Sequence, residues 1–180
     1  MKHWLSYLFF LLATSFVDGQ ITGMETSWAN DFSQWTIYST DGEEEIEGDL
    51  RMRWIGDWSV WDYRIGEDFG TIKTKWKGNL NQWEVNTGSG IYTVRTVFNN
   101  DPTRWRIRTS KHNFDLELNR RDVPWDWRVD DDEVGFYEVY SEWEGDPNVW
   151  SIQDETLDNT SIHEKVTILF FSMWSSLPKT

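Results

Sequence analysis

TIKTKWKGNLNQWEV, residues 71–85, sets Trp76 and Trp83 seven positions apart across a Gly-Asn turn. The same spacing joins Trp28 to Trp35, Trp54 to Trp61 and Trp143 to Trp150. Two further units replace the first member by another apolar residue, pairing Phe98 with Trp105 and Leu118 with Trp125. The first members recur about every 22 residues, so six copies of one unit run through the chain. Within the pairs lie NDFS, GDWS, GNLN, NDPT, RRDV and GDPN. Asp, Asn, Gly and Pro close turns because they accept positive φ, fix φ, or hydrogen-bond their own backbone. Each pair is therefore expected to flank a tight hairpin turn.

On either side of these turns the apolar residues alternate with charge, as a half-buried strand requires. Ile72, Thr74 and Trp76 oppose Lys73 and Lys75, and Trp105 and Ile107 oppose Arg106 and Arg108. The same parity groups Tyr92, Val94, Thr96 and Phe98; Phe114, Leu116 and Leu118; Trp125, Trp127 and Val129; and Tyr137, Val139 and Trp143 on apolar faces. All six tryptophan pairs are expected to point to that one face as a packing ladder. Turn-like links such as GEDFG (66–70), NTGSG (86–90) and DDDEVG (130–135) join the units. Two strands per unit give an all-β antiparallel up-and-down meander of about 12 strands. A sheet with one apolar face must close into a barrel, fold over as a sandwich or rolled sheet, or be covered, and closure also removes its unpaired edges. A closed or nearly closed barrel is the favoured form, with an open rolled sheet or sandwich as the alternative. Six hairpins supply too few four-stranded blades for a propeller.

The tail EKVTILFFSMWSSLPKT breaks the alternation, since Val166, Ile168 and Phe170 and the opposite-parity Leu169, Phe171 and Met173 are all apolar. The segment from about 162 to 176 is expected to be a strand buried on both faces, or a plug or cover on the aromatic face of the sheet. It is far too short for a bilayer span.

The chain opens with Lys2, an apolar run from Trp4 to Val17 and a small Gly19 ahead of Gln20, the pattern of a secretory leader cleaved near Gly19. Residues 20–180 then form a single domain, secreted or held in the cell envelope. Lys2 and Asp18 cancel, so the net charge of −14 is unchanged by that removal. Such an excess of acid argues against nucleic acid and anionic membrane surfaces. There is no cysteine, so packing rather than disulfides must supply the stability. Strands expected to run about six or seven residues are short for a membrane-spanning barrel, which needs roughly 9–11.

No catalytic signature is present, and outside the leader only His112 and His163 could serve as imidazole ligands. A carbohydrate-active hydrolase using rim carboxylates is the enzymatic alternative. No cofactor is implied, though Asp130, Asp131, Asp132 and Glu133 offer hard oxygen ligands for Ca²⁺. Two aromatics break the register, Trp58 inside IGDWSV and Phe69 inside GEDFG, and are the candidate ligand contacts. The expectation is a non-enzymatic binding or structural module for a protein, glycan or apolar ligand, with a carrier of an apolar ligand inside the barrel as an alternative. The links gather acids, including Asp41, Glu43, Glu44, Glu45, Asp68, Asp132 and Glu133, at one end of the meander, opposite the tryptophan turns.

Overall fold

A computed structural model describes residues 19–143 and 145–178. The leader expectation thus lies outside the described residues, apart from Gly19, as does Glu144. Twelve strands run in chain order: β1 Gln20–Trp28, β2 Asp31–Asp41, β3 Glu44–Met52, β4 Val60–Ile65, β5 Asp68–Thr74 and β6 Gln82–Thr87 form the first half. β7 Gly90–Phe98, β8 Asp101–Arg108, β9 Asn113–Leu118, β10 Asp126–Asp131, β11 Gly135–Ser141 and β12 Val149–Thr156 form the second. Each pairs antiparallel with its neighbours in sequence, and β1 pairs with β12 through Gly23–Ser151, Met24–Trp150 and Glu25–Val149, which closes the barrel. Closure leaves no sheet edge to template aggregation.

Strand alternation sends the apolar residues inward, among them Trp61 and Tyr63 on β4, Trp83 and Val85 on β6, Trp105 and Ile107 on β8, and Tyr137 and Val139 on β11, all buried. The outer face carries ion pairs instead. Arg53 grips Asp62 through Nε at 2.9 Å and Nη2 at 2.5 Å, and Asp115 lies 2.8 Å from both Arg104 and Arg106. The strands run from 6 to 11 residues, several of them longer than expected. Polarity is therefore the better discriminator: an apolar inside and a charged outside is the inverse of a membrane-spanning barrel. Among the described residues no helix is long and apolar enough to cross a membrane.

The apolar tail is the plug, and it is helical. α1, Ile162–Ser176, is about 22 Å long and threads the barrel, with Ile162 through Trp174 all buried. A helix satisfies its own backbone, so it can lie inside an apolar barrel where an unpaired strand would leave N–H and C=O groups orphaned. That requirement, with apolar residues on every side, decides helix over strand. Its start is a capping box: the Ser161 hydroxyl accepts from Glu164 N at 3.3 Å, and the Glu164 carboxylate accepts from Ser161 N at 2.8 Å. Thr167, Ser172 and Ser176 donate their hydroxyls back to the carbonyls of His163, Ile168 and Ser172, so three polar side chains are satisfied within the helix.

The barrel meets α1 with indoles. Trp61 and Trp83 pack edge-on against Phe170 at 5.5 and 5.8 Å, Trp83 meets Trp174 at 5.0 Å, and Trp105 meets Phe171 at 4.8 Å. Polar anchors fix the helix at its N-terminal end. Lys165 Nζ lies 3.0 Å from Asp154 and donates to the Gly19 carbonyl at 3.1 Å, while Glu164 meets His112 Nδ1 at 2.8 Å. His163 Nδ1 and the Tyr63 hydroxyl share a hydrogen bond of 2.8 Å. At the other end the Trp105 and Trp127 indoles donate to the hydroxyls of Ser175 and Ser176.

Candidate functional site

The tryptophan unit is an eight-residue turn that repeats six times, and its two ends face different surroundings. The last position carries Trp35, Trp61, Trp83, Trp105, Trp127 and Trp150, each no more than 1% exposed. Each is paired across its hairpin with the residue nine positions earlier: Thr26, Met52, Thr74, Thr96, Leu118 and Ser141. The third position holds Asn30, Gly56, Gly78, Asn100 and Gly145, all at φ between 61° and 84°, where only Gly and Asn sit cheaply. The fourth closes the turn: Asp31, Asp57, Asn79, Asp101 and Asp146 each accept from the backbone N–H two residues on, at 2.8 to 3.0 Å. Five of the buried indoles then donate back to the carbonyl three residues earlier, as Trp83 does to Leu80 at 2.8 Å.

The first position does not enter the core. Trp28, Trp54, Trp76, Phe98 and Trp143 are between 58% and 71% exposed, which corrects the expectation that both members of each pair point inward. The reason is geometric. The strands β3, β5 and β11 end at Met52, Thr74 and Ser141, two residues short of the aromatic, and in the other two units a bulge separates Trp28 from Thr26 and Phe98 from Thr96. Alternation therefore stops before it reaches them. In the fifth unit the turn runs from Arg120 to Trp127, so Leu118 is the paired strand residue and Trp125 lies half-buried within the turn.

All six turns lie at one end of the barrel, around the C-terminal end of α1, so the exposed aromatics ring that end. Ile55, 93% exposed, and Leu80 add aliphatic surface to the ring. Cations sit beside the indoles: Arg53 is 5.7 Å from the Trp54 ring and Lys75 is 5.8 Å from Trp76. Between the third and fourth hairpin tips, Leu80, Asn81, Asn100, Pro102, Trp105 and Trp174 line an open depression of about 340 Å³. Its amides are already joined, Asn81 Nδ2 donating to Asn100 Oδ1 at 2.9 Å.

The two residues singled out for breaking register part company. Trp58 occupies the fifth turn position, half-buried against Trp61 at 5.8 Å, and its carbonyl accepts the indole N–H groups of Trp61 and Trp174. Phe69 is 63% exposed, but it pairs with Arg64 at the opposite, acidic end of β5. There Asp41, Glu43, Glu44, Glu45, Glu67, Asp68, Asp132 and Glu133 are all exposed. Asp154 is the exception within the acidic links, because strand parity turns its side chain inward onto Lys165. Among the described residues no three His, Cys, Asp or Glu side chains gather as a metal site. Asp130 and Asp131 end β10, and Asp131 accepts from Glu133 N at 2.9 Å in the turn that follows.

Fold and rim together define a β-barrel ribbed by tryptophan, plugged by a helix and fringed at one end by aromatics. No family model, characterised protein or solved structure matches the chain.

Proposed function

We propose that the protein is a non-enzymatic docking module, exported to the cell envelope or extracellular space, that holds its target through the aromatic rim. One observation carries this: five of six equivalent turn positions hold an aromatic that the fold leaves in water. Core packing does not require them, since the neighbouring Trp at the eighth position already fills the barrel. Large aromatic side chains left in water at the same place in repeat after repeat mark an interaction surface. Trp is also the side chain that gives most contact area for little lost conformational freedom at a binding surface. The leader-like N-terminus supports export, and the acidic far end supports solubility while the rim is engaged.

Carbene footprinting of the protein, alone and on the native surface it is recovered with, tests this reading. Labelling of Trp28, Trp54, Trp76 and Trp143 should fall on that surface while labelling around Phe69 and Glu133 persists. Equal labelling of the rim in both states removes the proposal.

A further inference from the structure

From the shape and charge of the rim we infer that its target is the interface of a zwitterionic lipid bilayer, met end-on without insertion of the barrel. The inference rests on the docking reading above and names its partner. A glycan chain or a peptide would engage a line or cleft of aromatics on one side of the molecule. Here the aromatics stand at equivalent positions around a closed ring, each a fixed step past the residue paired with a buried tryptophan. A planar target is the one that all of them can touch together. Trp, with an apolar ring and one N–H donor, is the residue that settles at the level of lipid headgroups. Lys75 lies beside the Trp76 indole, and its long side chain, loosely paired with Glu84 at 3.7 Å, can reach phosphate while the ring enters the boundary region.

Charge selects the kind of membrane. At the rim, Arg53, Lys75, Lys77, Arg120 and Arg121 are interleaved with Asp31, Asp57, Asp101, Asp122, Glu142 and Asp146, so neither sign prevails among the described residues. Asp31, Asp57, Asp101 and Asp146 are engaged in closing their own turns. The far end is acidic, with Lys111 its one base in the links, and the chain as a whole carries −14. An anionic surface would repel the molecule, whereas a phosphatidylcholine surface would not, and the acidic end would face away from it. The outward strand faces are laced with ion pairs, which holds the barrel at the surface rather than within the hydrocarbon.

The test is partitioning of the full chain onto phosphatidylcholine vesicles, with and without bromine on the upper acyl carbons. The protein should sediment with the vesicles, and the bromolipid should quench the exposed indoles. Replacing Trp28, Trp54, Trp76 and Trp143 together by Ser should lower partitioning by about 10,000-fold, to background, because each truncation removes an apolar anchor worth about tenfold. Phe69→Ser, at the far end, should leave partitioning unchanged. Adding phosphatidylglycerol at low salt should weaken it. Wild-type protein that stays in the supernatant, or partitioning that survives the fourfold substitution, overturns the inference, as does stronger binding to the anionic vesicles. Should the fourfold variant misfold, bromolipid quenching of the wild-type protein decides alone, and its absence counts against the inference. Rim protection on the native surface without vesicle binding would sink the bilayer while leaving the docking reading intact.

Discussion

Trp76 and Trp83 have the same side chain and occupy the same turn, yet they belong to different environments. Trp83 is buried among Phe170, Phe171 and Trp174, whereas Trp76 stands in water beside Lys75. Trp83→Ala should therefore cost about 3–5 kcal/mol in denaturant unfolding. Trp76→Ala should stay within about 0.5 kcal/mol of wild type, as an exposed substitution does. The contrast is the direct check that the two members of a unit serve core and rim separately. Gly56 offers a second residue-level check. A Cβ there would meet nothing within 4 Å, but φ is +84°, so Gly56→Ala should cost about 1 kcal/mol through backbone conformation alone.

At the scale of elements, α1 is held as much by its N-terminal polar contacts as by its apolar body. Lys165 and Asp154 are both buried, so Asp154→Asn leaves an ammonium with a weakened partner in a dry site. A loss of about 3–5 kcal/mol is expected, and the double change Asp154→Leu with Lys165→Met should recover part of it. His163, on the same helix turn, is pushed below its ordinary pKa of 6.5 by burial, which outweighs the opposing pull of the Asp68 and Glu164 carboxylates. The unfolded chain therefore takes up a proton near pH 6.5 that the folded chain resists. The contribution of His163 to stability is complete above that pH and declines as pH falls below it, until the lower folded pKa is passed. Melting temperature should fall over this window, and the fall should be shallower in His163→Gln. Tyr63, which shares the His163 hydrogen bond, stays a phenol throughout, since burial raises its pKa.

For the whole molecule, the decisive property is asymmetry between the two ends of a closed barrel. One end gathers acids and the other aromatics, and the net charge of −14 makes the compact state self-repelling. Raising NaCl from about 10 to about 300 mM should lift the melting temperature by about 2–4 °C as that repulsion is screened. A rise confined to Ca²⁺ would instead implicate the acidic links as ligands. Much of this architecture was legible in advance. Period-two alternation gives the strands, and the Asp, Asn and Gly clusters give the turns. The regular repeat gives the meander, because each of these is a local consequence of backbone preference and side-chain polarity. The acidic end followed from the topology once the meander was granted.

The candidate site was less legible, and for a physical reason. Equal spacing made Trp28 and Trp35, Trp54 and Trp61, Trp76 and Trp83 look alike, but spacing does not say where a strand ends. The turn signals did hold the clue: a positive-φ Gly or Asn at the third position and a closing Asp or Asn at the fourth put the first residue inside the turn. The fifth unit lacks that pattern, with Asp122 and Val123 at those positions, so its true frame of Arg120 and Trp127 rather than Leu118 and Trp125 was set by strand pairing alone. What the sequence by itself determined is the repeating hairpin, its inward and outward faces and the apolar character of the tail. Closure, the helical state of that tail and the fate of each tryptophan were decided only in three dimensions. Those depend on how β1 meets β12, on the need of a buried backbone to satisfy itself, and on the distance each strand reaches before its bulge or turn.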